Sequence, residues 1–254
     1  MTKEIKFVFF GSSRFSEHVL NTLESEGFKP MLKIGSAKEP IPMDKLKEAK
    51  ADIFIVASFG KILPKDVIYM PEYKTLNVHP SLLPRLRGPS PIQSTILFNE
   101  QPGVSIMRMD EEMDHGPLLA EKSIDISPWP DKYDVVEEKL GHAGGELLAE
   151  VLPRWINRDV EEKVQNESGA TYTKMIKKED GLLDLTADPE TNLRKILAYH
   201  TWPGAYYFHE RKDGKKIRIR VTDAELENCE LKILTVIPEG KKEMNYADFL
   251  RGNN

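Results

Sequence analysis

The stretch Ile5-Lys6-Phe7-Val8-Phe9-Phe10-Gly11-Ser12-Ser13-Arg14 passes abruptly from apolar to small and polar residues. A short continuous apolar run closed by glycine reads as a strand buried on both faces. Phe15, Val19, Leu20 and Leu23 then fall on one helical face, and Gly27 stops the pattern. The same alternation continues outward. Residues 31–34 read as a second strand, 43–50 as a short charged helix, and 51–57 and 75–78 as further buried strands. Strands alternating with helices form parallel crossover units. The predicted fold is therefore α/β, a Rossmann-like, mostly parallel sheet with helices on both faces. In such sheets ligands sit beyond the carboxyl ends of the strands.

Residues 103–109 form a further predicted strand, and 118–126 its antiparallel partner, because the turn between them is too short for a crossover. Residues 134–152 carry Val135, Val136, Leu140, Leu147, Leu148 and Leu152 at helical spacing. Patterning fades over 165–178. A short helix at 191–199 and strands within 206–221 and 231–236 follow. This predicts three parts: a domain over 1–164, a linker over 165–184, and a small β-rich domain over 185–254.

The chain has 254 residues, 40% of them apolar and 30% charged, with a net charge of −5, an ordinary soluble composition rather than that of a nucleic-acid coat protein. Its single cysteine, Cys229, excludes an internal disulfide or cysteine metal cluster and fits a reducing, cytoplasmic setting. The apolar run after Met1 is too short for a membrane span and lacks the flanks of a signal peptide. The part from residue 185 onward holds 12 basic and 11 acidic residues, so the acidity lies upstream. Arg211, Lys212, Lys215, Lys216, Arg218 and Arg220 crowd a hairpin around Asp213-Gly214. Such a cluster reads either as an edge hairpin guarded by charge or as a phosphate-contacting patch.

Chemistry concentrates in Leu76-Asn77-Val78-His79-Pro80-Ser81-Leu82-Leu83-Pro84-Arg85-Leu86-Arg87-Gly88 and in Met113-Asp114-His115-Gly116-Pro117. Asn77 and His79, two apart on an extended segment, share one side of it, and Pro80 keeps His79 out of helix. An amide can hold an oxyanion, an imidazole can relay a proton near neutral pH, and a carboxylate can set the state of the imidazole. The catalytic candidates are Asn77, His79 and Asp114. Together they suit transfer of an acyl group to an amine without a metal. Alone, Asn-x-His also describes many ordinary strand ends. Gly11–Arg14 sits at a strand–helix turn that could attract an anion, yet it matches neither phosphate-binding glycine motif. A plain turn is an equal reading.

The run Asn77–Pro84 with Arg87-Gly88, and Met109-Asp110 followed by Asp114-x-Gly116, 37 positions after Asn77, resemble the signature of the 10-formyltetrahydrofolate-dependent formyltransferases. Residues 58–64, Pro91-Ile92-Gln93 and Gly103–Met107 resemble further stretches of that catalytic domain. Thr171–Ile176, Trp202–Tyr206 and Gly240-Lys241-Lys242-x-Met244 resemble the interdomain and C-terminal parts of members that formylate methionyl-initiator tRNA. The resemblance implies 10-formyltetrahydrofolate as co-substrate and no metal. It implies folate contact along Ser81, Leu82, Leu83 and Pro84, a small OB-like C-terminal domain, and a monomer. It also implies oxyanion stabilisation by Asn77 and proton handling by His79 and Asp114.

Arg85, Arg87, Lys215, Lys216, Arg218 and Arg220 are the candidate tRNA contacts. Two features depart from that pattern. Between residues 34 and 43 only Lys38 is basic, where tRNA-directed members carry a basic loop, and the C-terminal part is short. An amino group on a nucleotide-linked sugar is the alternative acceptor. A non-catalytic RNA-binding module is the alternative of a different class.

Overall fold

The computed structural model describes residues 5–211 and 214–253. Chain contacts divide it into two units. The first comprises the chain up to Pro91, Gln101–Asp125 and Glu137–Lys174; the second comprises Ile92–Glu100, Ile126–Val136 and the chain from Met175.

The first unit is built on a six-stranded sheet. Its elements are β1 (Phe7–Phe10), α1 (Arg14–Ser25), β2 (Leu32–Ile34), α2 (Met43–Ala49), β3 (Ile53–Ala57), α3 (Lys65–Ile68) and β4 (Thr75–His79). After α4 (Pro91–Phe98), which but for Pro91 belongs to the second unit, come β5 (Gly103–Arg108), β6 (Leu118–Ser123) and α5 (Tyr133–Ile156), of which the part from Glu137 lies in the first unit. The strand order is β2-β1-β3-β4-β5-β6. β1 to β4 pair in parallel, and β5 and β6 add antiparallel strands at one side. This is the mostly parallel α/β sheet expected. Every residue of β1, β3 and β4 is buried, as strands covered on both faces must be. At the sheet edge β6 is buried only at Leu118 and opens to exposed and half-buried residues from Leu119 on.

Phe10 packs edge-on to Phe59, with ring centroids 5.5 Å apart, so the loop after β3 is anchored in the core. The turn at Gly11–Arg14 is a helix cap. Ser13 Oγ accepts from Ser16 N, Ser16 Oγ accepts from Ser13 N, and Ser12 Oγ donates to Phe59 O at 2.7 Å. These hydroxyls are spent on the fold, which favours the plain-turn reading. Helices α3 and α4 were not legible in the sequence, since both are short and lack helical periodicity.

The second unit carries α6 (Pro189–Ala198), β7 (Ala205–Glu210), β8 (Lys216–Glu227), β9 (Glu230–Pro238), β10 (Met244–Asn245) and α7 (Tyr246–Asn253). Its four-stranded antiparallel sheet runs β10-β9-β8-β7. The region 206–221 thus contains all of β7 but its first residue, a turn and the first half of β8. Lys212 and Asp213 of that turn lie outside the described residues. β8 runs on through the acidic stretch to Glu227 and turns at Asn228 and Cys229, with φ of 52° and 65°. Two consecutive left-handed residues make the tight turn whose twist matches a hairpin. Lys232 bridges Glu225 and Glu227 at 3.1 Å each, which offsets the repulsion between them.

Candidate active site

β4 ends at the sheet's carboxyl edge, and its last residues supply the first two candidates. Asn77 and His79 are 9% and 4% exposed. Asp114 comes from the turn between β5 and β6 and adopts φ of 51°, a conformation Asp tolerates better than most residues. Asn77 Nδ2 donates to Asp114 Oδ1 at 3.4 Å, and His79 Nδ1 lies 3.6 Å from the same oxygen. His79 Nε2 donates to Leu86 O at 3.1 Å. Both ring nitrogens therefore face oxygens that can accept. The three residues read from the sequence converge on one point.

Gly88 fixes the carboxylate from the other side. Its amide donates to Asp114 Oδ2 at 2.7 Å. Only glycine fits there: φ is +113°, and a Cβ would sit 2.8 Å from Thr173 Oγ1 and 2.9 Å from Thr173 O. Leu86 is held at φ of 62°, a costly backbone state for leucine, with its carbonyl on His79.

Buried Ser105, opposite His79 on β5, shapes the Ser81–Pro84 strip. Ser105 Oγ donates to Ser81 O at 2.7 Å and accepts from Leu83 N at 3.0 Å. Ser81 Oγ donates to Arg85 O at 2.7 Å. Leu83 is buried with Met107 and Leu118. Leu82 and Pro84 remain partly exposed. The strip thus offers a ligand its backbone and those two side chains.

Arg87 overturns one expectation. Among the largest fully buried side chains, it is 1% exposed and cannot reach a phosphate on an incoming RNA. Its guanidinium donates to Gln165 Oε1 through Nε at 3.1 Å and Nη2 at 2.8 Å. Nη2 and Nη1 donate to the two oxygens of Glu167 at 2.7 and 3.0 Å, and Nη1 also reaches Tyr172 Oη at 3.2 Å. Its backbone is tied to the same segment: Arg87 N donates to Thr171 O, and Thr173 N to Arg87 O. Hydrogen bonding to Arg87 holds the Glu167 carboxyl below its usual range.

His115 Nδ1 pairs with Asp110 Oδ2 at 2.7 Å, and that hydrogen bond raises the imidazole pKa. Sequence reasoning missed Gln165, Ser105 and the roles of Arg87 and Gly88. The spacing of two between Gln165 and Glu167 was the available clue, since both turn to one guanidinium.

The basic cluster of the second unit is divided. Lys215 and Lys216 are exposed, as is Arg85 in the first unit. Arg218 lies half-buried with its guanidinium carbon 3.8 Å from the Tyr206 ring centroid, and Arg220 Nη2 donates to His200 O at 2.7 Å. His200 Nδ1 in turn pairs with Asp134 at 2.9 Å.

The profile described as formyl transferase matches residues 6–152, the part that builds the six-stranded sheet and the Asn77/His79/Asp114 cluster. The chain belongs to that family. The methionyl-tRNA formyltransferase of Bacillus licheniformis is 31% identical over 300 aligned positions, covering 97% of this chain and 95% of the relative. Those positions outnumber the 254 residues here, so the relative carries stretches this chain lacks. Among solved structures, a methionyl-tRNA formyltransferase from Clostridium thermocellum superposes with a TM-score of 0.70 at 15% identity, covering 95% of this chain and 99% of that one. HypX from Aquifex aeolicus, solved in complex with tetrahydrofolic acid, gives a TM-score of 0.74 at 18% identity. It covers 98% of this chain, which spans about half, 47%, of HypX. Both likenesses are of fold.

Proposed function

We propose that this formyltransferase moves the formyl group of 10-formyltetrahydrofolate to the amino group of methionyl-initiator tRNA, with Asn77, His79 and Asp114 as its catalytic residues. The observation that carries the reading is the convergence of those three side chains in a chain of this family. As the acceptor amine adds to the formyl carbon, Asn77 Nδ2 donates to the oxygen on which charge develops. His79, bracketed by Leu86 O and Asp114, stabilises the same charge and holds a proton at Nδ1 for exchange with the carboxylate. Asp114, kept in place by Gly88 N, accepts the amine proton through water and returns it to the departing folate nitrogen.

Backbone along Ser81–Pro84, with the part-exposed Leu82 and Pro84, meets the folate; the polar hydroxyls there serve the loop itself. The exposed cations Arg85, Lys215 and Lys216 contact tRNA phosphate. Arg218 and Arg220 support that surface from inside the domain. We take the protein to act as a cytoplasmic monomer divided at 1–164, 165–184 and 185–254.

The deciding assay offers the purified chain 10-formyltetrahydrofolate with either methionyl-initiator tRNA or an amino-sugar nucleotide. Formyl-methionyl-tRNA is the expected product. Formylation of the sugar alone would replace the acceptor. Binding of tRNA without folate-dependent turnover would replace the enzyme reading altogether.

A further inference from the structure

We propose that Gln165, oriented by the buried Arg87, is a positioning residue for Asp114. The inference rests on the catalytic reading of Asp114 above. A guanidinium carries donors only, so the Gln165 atom facing it is the amide oxygen. Arg87 Nε and Nη2 both donate to that oxygen, at 3.1 and 2.8 Å. The amide nitrogen is thereby aimed the opposite way. Gln165 Nε2 donates to Asp114 O at 2.9 Å and to Gly116 O at 2.7 Å, which uses both of its hydrogens. Gln165 is itself 5% exposed, so water does not compete for these bonds.

The clamp acts on a turn that has little freedom to adjust. Asp114 sits in the left-handed region at φ of 51°. At Gly116 the backbone passes so near Arg108 that a Cβ would lie 1.9 Å from its carbonyl oxygen. Gln165 holds the main chain of Asp114 while Gly88 N holds the carboxylate, so the backbone and side chain are set by different loops. Arg87 belongs to the same loop as Gly88, so the two restraints share one anchor. Glu167 and Tyr172 saturate the remaining donors of Arg87 and keep it from swinging off Gln165.

Gln165→Glu tests the clamp at almost constant volume. Glutamate keeps an oxygen on Arg87 but sets a second oxygen against two carbonyls that need a donor. The expected result is a kcat lowered about 10–100-fold, the range for groups that orient a reacting side chain. KM for both substrates stays within about twofold, because neither is touched. The discriminating measurement repeats the substitution in an Asp114→Asn background under single-turnover conditions, where a disabled constellation retains measurable rate. A residue that acts through Asp114 costs nothing further there, whereas a purely structural one costs the same in both backgrounds.

Unchanged kcat in Gln165→Glu, or equal losses in both backgrounds, would overturn the assignment. Full activity in Asp114→Asn alone would instead overturn the catalytic reading beneath it. Should Gln165→Glu fail to fold, Gln165→Ala removes the donor without the repulsion and is expected to show the same dependence on Asp114.

Discussion

Gly88 and Asp114, 26 residues apart, are joined by a 2.7 Å hydrogen bond from the glycine amide to carboxylate Oδ2. Because Gly88 also lies against Thr173, three separate loops meet at this contact. Gly88→Ala places a methyl group within 2.9 Å of two Thr173 oxygens at a backbone angle alanine avoids. We expect a stability loss of about 1–3 kcal/mol and a kcat reduced with it, since the amide can no longer hold Asp114. Denaturant unfolding and turnover on the same preparation check this. Unaltered values for both would show the contact to be incidental.

Asn77 donates its side-chain amide to Asp114 and is the proposed oxyanion partner. Asn77→Ala is expected to lower kcat by roughly 10²–10³, the cost of one oxyanion donor, with folding cooperativity intact. Steady-state kinetics under saturating donor and acceptor supply the test, and near-normal turnover would remove Asn77 from the mechanism.

His115 provides a pH dependence whose sign follows from its partner. Its pKa is raised in the fold, chiefly by the hydrogen bond to Asp110. Stability from a raised histidine is fully present below its unfolded pKa of about 6.5 and fades as pH climbs through the folded value. His115→Gln should therefore lower Tm at pH 6 and leave it nearly unchanged well above neutrality. A Tm difference that is constant from pH 6 to pH 9 would contradict this.

The basic residues of the second unit separate into two kinds of variant. Lys215→Ala with Lys216→Ala should reduce the slope of log Kd for tRNA against log salt by about one per lysine. Arg220→Ala should lower Tm instead, because its guanidinium is bonded to His200 O. Binding titrations across salt concentrations, read beside thermal melts, distinguish them. A salt slope unmoved by the lysine changes would place the RNA surface elsewhere.

Much of the fold was legible in sequence because buried parallel strands announce themselves as apolar runs: Phe7–Phe10 and Ile53–Ala57 needed no partner to be recognised. Asn77, His79 and Asp114 were legible for a related reason. Two share a strand period, and the third lies at the spacing that the resemblance supplied. Arg87 was misread because an arginine beside leucines and a glycine looks exposed until its partners are known. Those partners, Gln165 and Glu167, lie 78 and 80 residues downstream. Beyond the two-residue spacing of Gln165 and Glu167, no local pattern reports that a segment lacking periodicity folds back to satisfy a buried cation. Helices α3 and α4 were missed on the same ground, since tertiary packing fixes them more than their own composition.

The strap of Gln165, Glu167, Thr171 and Thr173 across the Arg87 loop bears on the order of events during synthesis. On the ribosome the sheet and all three proposed catalytic side chains emerge before residue 165 does. Until that strap is out, the residues that cover the Arg87 guanidinium and pair with it are absent. A nascent chain that ends before residue 165 therefore carries Asn77, His79 and Asp114 without the segment that ties the Arg87 and Asp114 loops together.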